Sequence, residues 1–286
     1  MEDFSFCTFL DLIWQNILSF FHGVSTLFNS NFGVAATGSF FGAVGGYTMV
    51  LYTNKRAEII KKIRGLKTSV AMAHRIFNMF YGLKQQHIKP MCDRYFKGQK
   101  DFVDVQNKKH TKPTEFLIQF DFQTPKFPYM DFELINSTFF EKVDLSGRAL
   151  SIAMVLVNTL AEMKGLLEYR NYVIAEINEL TNKYNLGHYE RACLYYGQPV
   201  THTNLGEIHY ENYSNVMRDI KIFNDSCIWF SKELLEELLK LEKETTKKVF
   251  IFRPKAGSID FSDLEKDMMP DDNDYKDWRE KFVKIK

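Results

Sequence analysis

Forty-three consecutive residues, Leu12 to Asn54, contain no Asp, Glu, Lys or Arg, in a chain of 286 residues that is 26% charged overall. Such a gap excludes an ordinary water-facing segment, because charged side chains are what soluble surfaces are chiefly made of. Its second half, Phe32 to Tyr52, is 21 residues of Gly, Ala, Val, Phe, Leu, Ser, Thr, Met and Tyr. A helix of about 20 apolar residues spans the roughly 30 Å hydrocarbon core of a bilayer, so a transmembrane helix is expected over 32–52. Cysteine is also scarce. The four (Cys7, Cys92, Cys193 and Cys227) are far apart and form no C-x-x-C pair, which argues against a disulfide framework and suits a reducing cytosol. Met1-Glu2-Asp3 is acidic, so the basic start of a secretory signal is missing and the apolar stretch reads as a retained anchor.

Catalytic motifs are missing as well. There is no G-x-x-x-x-G-K-[ST], no G-x-G-x-x-G after a strand, no H-E-x-x-H and no G-x-S-x-G. His202 and His209 have Glu207 and Glu211 near them beside the turn Gly197-Gln198-Pro199. A metal needs three or four converging ligands, and this cluster reads as a surface loop and helix start. His188 precedes Cys193 in sequence, which is not the spatial pairing that nucleophilic catalysis requires. No enzyme, catalytic residue, metal or cofactor is expected.

What is present begins with charge asymmetry. Residues 1–54 carry −3, residues 55–112 carry +11, and residues 113–286 carry −7. A basic block beside an apolar span means headgroup contact, an orientation signal or an anionic ligand. Lys55, Arg56, Lys61, Lys62, Arg64 and Lys67 place the C-terminal part in the cytoplasm by the positive-inside rule.

Residues 9–28 set Leu10, Ile13, Trp14, Ile17, Leu18, Phe21, Val24, Leu27 and Phe28 on one helical face. Asp11, Gln15, Ser19, His22 and Thr26 form a polar stripe of period near 3.6. Two readings stay open: an amphipathic helix lying in the membrane interface, or a second membrane helix whose stripe faces water or neighbouring helices. Asn29-Ser30-Asn31-Phe32-Gly33 is a turn between the two segments. Within 32–52, Gly38, Gly42 and Gly46 recur every fourth residue. Small residues at that spacing let another helix backbone approach closely, so self-association is expected.

Beyond the membrane region of residues 1–54, a mainly α cytosolic domain is expected over 55–257. Asn54 is expected to cap a helix from Lys55 that Pro90 stops near Lys89. Phe116, Ile118, Phe120 and Phe122 alternate with polar residues, which predicts a strand. Tyr129–Ile135 and Val249–Phe252 are further strand candidates, enough for a small β-sheet. Long helices are expected over 138–183 and about 207–247. Val216, Ile220, Phe223, Cys227, Phe230 and Leu234 form a heptad seam on the second. The whole reads as an antiparallel helical bundle. The tail 258–286 holds nine acidic and six basic residues and is expected to be loosely held, with Trp278 and Phe282 able to dock it. Arg64, Lys67, Arg75, Lys84, His87, Lys89 and Arg94 are interleaved with Phe77, Phe80, Tyr81, Tyr95 and Phe96. Cations beside aromatics can hold a nucleotide or single-stranded nucleic acid, while a solvated basic face over a bundle core is the plainer reading.

The apolar Phe32–Tyr52, the glycines at 38, 42 and 46 and the basic helix from Lys55, fused to a helical domain without a catalytic motif, resemble the membrane effectors of bacterial anti-phage systems. In layout the chain is similar to the channel-forming effector of Hailong-type systems. The resemblance covers organisation only; residues 113–286 match no motif of that family. It implies an oligomeric inner-membrane protein held closed by an oligonucleotide from a companion nucleotidyltransferase. The expected function is therefore a homo-oligomeric channel or membrane-disrupting effector, a tetramer being one arrangement. Its partners would be membrane lipid, its own copies and a nucleotide or oligonucleotide. A membrane-tethered scaffold without conduction is the alternative.

Overall fold

The computed structural model describes residues 14–15, 31–107, 120–123, 125–202, 206–208, 210–249, 254–262 and 264–283. The chain divides into two compact units, Met1–Glu58 and Ile59–Lys286. Its described regular structure is mainly α-helical.

In the first unit Trp14 and Gln15 are helical and exposed. The remainder of the amphipathic segment 9–28, including Asp11, Ser19, His22 and Thr26, lies outside the described residues. Helix α1 runs Asn31–Leu83. Gly38, Gly42 and Gly46 lie on it, and a Cβ built at any of them meets nothing within 4 Å. Thr48 and Thr53 donate their hydroxyls to the carbonyls of Gly45 and Val50, at 3.0 and 2.9 Å. Asn54 is not a cap. No Gly or Pro interrupts Leu51 to Ile63, so the helix passes through it without a break.

In the second unit, α1 buries Ile63, Leu66, Ala73, Ile76, Phe77, Phe80 and Leu83, successive steps of one, three and seven that keep one face inward. Pro90 does not stop it. A π-turn, Lys84–Ile88, follows directly, closed by the Lys89 N–H on the Lys84 carbonyl, and α2 then runs Lys89–Asn107. A proline inside an α-helix lacks a donor and crowds the carbonyl four residues back. The wider π-turn just before Pro90 relieves that conflict at the place where it would break the helix.

None of the described residues of the expected strands lies in a strand. Phe120 and Phe122 lie in irregular chain, and Phe116 and Ile118 lie outside the described residues. The segment Tyr129–Ile135 instead enters helix α3, Phe132–Asn136, because Asp131 caps it by accepting the Leu134 N–H at 3.0 Å, with Glu133 in the first turn. Val249 is not in a strand, and 250–252 lie outside the described residues. The sheet is a hairpin elsewhere: β1 (Val200–His202) pairs antiparallel with β2 (Gly206–Ile208), Thr201 opposite Glu207, where a surface loop was expected.

A second π-turn, Ser137–Glu141, follows α3, and the long helix α4 starts later than expected, at Gly147, and ends at Tyr184. Asn185 closes it in the left-handed conformation (φ 51°). Helix α5 spans His188–Tyr196 and α6 spans Asn212–Lys247. Helices α4 and α6 pack along each other. They run antiparallel: Arg148, near the start of α4, pairs with Glu233 and Glu237 late in α6, whereas Arg170 meets Tyr213 at the start of α6. Of the expected seam, Val216, Ile220, Cys227, Phe230 and Leu234 are buried and Phe223 is partly so.

Among the described residues one helix, α4, is long and apolar enough to cross a membrane. Its Ala149, Ile152, Ala153, Leu156, Leu160 and Met163 are at most 2% exposed, so much of that hydropathy serves the bundle core.

Described residues of the tail pack on α6. Tyr275 stacks on buried Trp229 at 4.5 Å and 8°, the Trp229 indole N–H donates to Asp272 at 3.0 Å, and Trp278 meets Phe230 edge-on at 5.3 Å. Helix α7, Lys276–Val283, ends the described chain. Trp278 thus docks, whereas the side chain of Phe282 lies outside the described residues.

Candidate functional site

A cavity of about 610 Å³ opens where α2, the segment 120–123 and the end of α5 converge. Helix α2 contributes Arg94, Tyr95, Lys97, Gly98 and Asp101. These fall at spacings of one to four, so they share one side of the helix. The segment 120–123 supplies Phe120, Asp121, Phe122 and Gln123, and α5 supplies Tyr195 and Tyr196.

The irregular segment is held from below by a guanidinium. Arg170 of α4 is 0% exposed. It donates to the carbonyls of Gln123 at 2.7 Å and Asp121 at 3.0 Å, and to the Tyr213 hydroxyl at 2.8 Å. Main-chain carbonyls take the place of a carboxylate, and a chain with no strand partner is thereby fixed. Asp121 then organises the rim. Its carboxylate accepts from Arg94 (Nε at 3.1 Å) and from the Gln123 N–H at 3.1 Å, and its own N–H donates to Tyr195 at 3.2 Å.

The wall is aromatic. Phe120 and Phe122 lie parallel at 5.7 Å, Tyr195 stands edge-on to both, and the Arg191 guanidinium lies over both rings at 4.9 and 5.2 Å. Gly98 makes room for Tyr196, since a Cβ there would sit 2.5 Å from the Tyr196 hydroxyl.

Burial raises the tyrosines. Tyr95 and Tyr195 are pushed above the usual phenol range, chiefly by loss of water, and Tyr213 to about 12 despite Arg170 beside it. These phenols stay protonated and serve as hydrogen-bond donors, not bases. The described thiols are likewise unreactive by burial: Cys92 is pushed up to about 12, Cys193 is raised, and Cys227 is well above its ordinary value. Two cations (Arg94, Lys97) face two carboxylates (Asp101, Asp121), so the cavity is suited to binding a ring-bearing polar ligand.

The seven basic residues read from the sequence do not converge. Only Arg94 lines this cavity. Lys67 donates to the Lys255 carbonyl at 3.0 Å and lies 3.8 Å from Glu242. Lys84 is buried, 2.6 Å from Asp225 and 2.8 Å from the Met268 carbonyl. Lys89 lies 3.6 Å from both Asp93 and Asp267. Arg64, Arg75 and His87 are exposed, and Arg75 borders a separate groove of about 180 Å³ with Met72, Met79 and Leu134. Asp121, Arg170, Tyr195 and Tyr196 were not singled out from the sequence. One signal was legible: Leu160, Met163, Leu167, Arg170, Ile174 and Ile177 step by three and four, so Arg170 stands on a core face.

Comparison with family models, with curated proteins and with solved structures finds no match.

Proposed function

We propose that the chain is a homo-oligomeric membrane channel or membrane-disrupting effector whose cytosolic helical unit senses a ligand or partner. The observation that carries this reading is the glycine face of α1. Gly38, Gly42 and Gly46 stand four apart in an uncharged helical segment, and nothing lies within 4 Å of a Cβ built at any of them. A second helix can approach such a face to backbone contact. At 1.5 Å per residue, the 21 residues of Phe32–Tyr52 make a rod of roughly 32 Å, the thickness of a hydrocarbon core. The hydroxyls of Thr48 and Thr53 are already satisfied by α1's own carbonyls, as an apolar surrounding demands.

In this reading Phe32–Tyr52 spans the inner membrane of a bacterium, and the basic residues from Lys55 keep the larger unit in the cytoplasm. The polar stripe Asp11, Gln15, Ser19, His22 and Thr26 lines or gates the path. The cavity at Arg94 and Tyr196 is the sensing site, and its ligand biases an open–closed equilibrium. A role in anti-phage defence, with a nucleotide or oligonucleotide ligand, is what the Hailong-type layout adds. Expression in a bacterial host with a membrane-potential dye tests the reading. Loss of potential that Gly42→Leu abolishes supports a channel. Stable potential at high expression of both forms favours the tethered scaffold.

A further inference from the structure

The C-terminal segment lies over a seam. Helix α1 and the π-turn that follows it are each linked to α6 by an ion pair, Lys67–Glu242 at 3.8 Å and Lys84–Asp225 at 2.6 Å. Each pair carries a main-chain group of the C-terminal segment as a further partner. The Lys255 carbonyl accepts from Lys67, and the Gly257 N–H donates to Glu242 at 3.3 Å. The Met268 carbonyl accepts from Lys84 at 2.8 Å, with Met268 itself 2% exposed. Between these points the segment follows α1, with Phe261 edge-on to Phe77 at 5.3 Å and the Glu265 N–H on the Tyr81 hydroxyl at 3.2 Å. It then passes to α6, where Tyr275 stacks on Trp229 and Arg279 pairs with Glu233 at 2.7 Å.

Among its described residues the segment holds little structure of its own: two short 3₁₀ turns, Lys266–Met268 and Asp272–Tyr275, and the eight residues of α7. Its position therefore depends on what it touches. Two of its contacts with the rest of the chain are between opposite charges, Asp267 with Lys89 at 3.6 Å and Arg279 with Glu233 at 2.7 Å, whereas Lys67 and Lys84, also read from the sequence as part of an anion site, meet main-chain carbonyls of the segment. Segments with few internal hydrogen bonds and a rim of exposed ion pairs open at lower free energy than a helical core.

We propose that residues 254–283 are a detachable clamp that closes the α1–α6 seam and occupies its lysines, so that releasing it frees the inner half of α1 while α4 and α6 stay folded. Its regulatory consequence rests on the channel reading, since the helix so freed, Asn31–Leu83, also carries the glycine face.

Hydrogen exchange on the full-length protein in detergent tests the clamp, comparing wild type with Arg279→Gln and with Arg279→Gln/Tyr275→Ala, each at low and high salt. Arg279 is partly exposed, so the single variant keeps the fold. The clamp predicts that peptides from 254–283 and from around Lys67 and Lys84 exchange about tenfold faster in the variants, and faster in high salt, with α4 unchanged. Equal protection of the tail and α4 in every form overturns it, as does loss of protection in α4 alongside the tail. Ion flux from the same samples in liposomes separates the two readings. A released tail with wild-type flux, in a protein that conducts, removes the regulatory role. No flux in any form, despite a released tail, counts against the channel instead.

Discussion

Arg170→Met is the substitution whose effect the structure constrains most closely. The guanidinium makes three hydrogen bonds, at 2.7, 3.0 and 2.8 Å, to two carbonyls and a hydroxyl, and lies 5.5 Å from the Tyr213 ring centroid. Hydrogen bonds to a charged group contribute about 1.5–3 kcal/mol each, which sets the gross loss near 5–9 kcal/mol. Against this stands relief of desolvation: a buried ion costs several kcal/mol, and no carboxylate among the described residues hydrogen-bonds to this one. The Asp121 and Gln123 carbonyls can also be reached by water from the adjoining cavity. The net loss expected is about 2–4 kcal/mol, or a fall in Tm of roughly 5–12 °C for a unit of this size. Arg170→Lys keeps the charge but cannot reach three acceptors in a plane, and is expected to lose about half as much. Thermal unfolding of the full-length protein in detergent, followed by near-UV circular dichroism, gives the difference. A shift under about 0.5 kcal/mol for Arg170→Met would show that segment 120–123 is held by something else.

Four further outcomes follow from particular residues. Gly65→Ala places a Cβ 2.8 Å from both the Lys142 carbonyl oxygen and Val143 Cγ2, backbone and packed core, and is expected to destabilise by about 1–3 kcal/mol in the same melt. Gly42→Ala meets nothing in its own chain, so its intrinsic effect is a gain below about 1 kcal/mol from helix propensity; Gly42→Leu should nonetheless dissociate the oligomer in mild detergent, as read by size-exclusion light scattering. Tyr213 and Tyr275 are pushed up to about 12 in the folded chain, mainly by burial. A raised folded value means that the folded state holds the proton longer, so the stability is complete below about pH 10 and is lost as pH rises through about 12, by about 3 kcal/mol for each. Tyrosinate absorbance should therefore show a late, cooperative step coincident with unfolding, whereas fully independent titration near pH 10 would refute it.

The helices were legible in the sequence because one-sided burial leaves a period. Ile63 to Leu83 and Val216 to Leu234 announce their faces. The elements read wrongly were decided by groups distant in sequence or by single residues that override a pattern. Phe120 and Phe122 alternate as a strand does, yet their chain is held by Arg170, about fifty residues later. Asp131 turns an extended-looking segment into a capped helix. Pro90 looked like a stop because nothing local reveals a π-turn ahead of it. The basic residues formed a block only along the chain; in space Lys67, Lys84 and Lys89 face the tail and Arg94 faces Asp121. The cavity was invisible for the same reason, since its three walls come from segments far apart in sequence, and the core position of Arg170 was its one local trace.

Ion flux through liposomes reconstituted with the full-length protein, beside a Gly42→Leu control matched for incorporation, tests the central claim most directly. The account predicts flux from the wild-type chain, or flux that appears once the clamp is released by Arg279→Gln/Tyr275→Ala, and none from the glycine variant. Equal flux from both proteins, or none from the released form while its oligomer is intact, would contradict it.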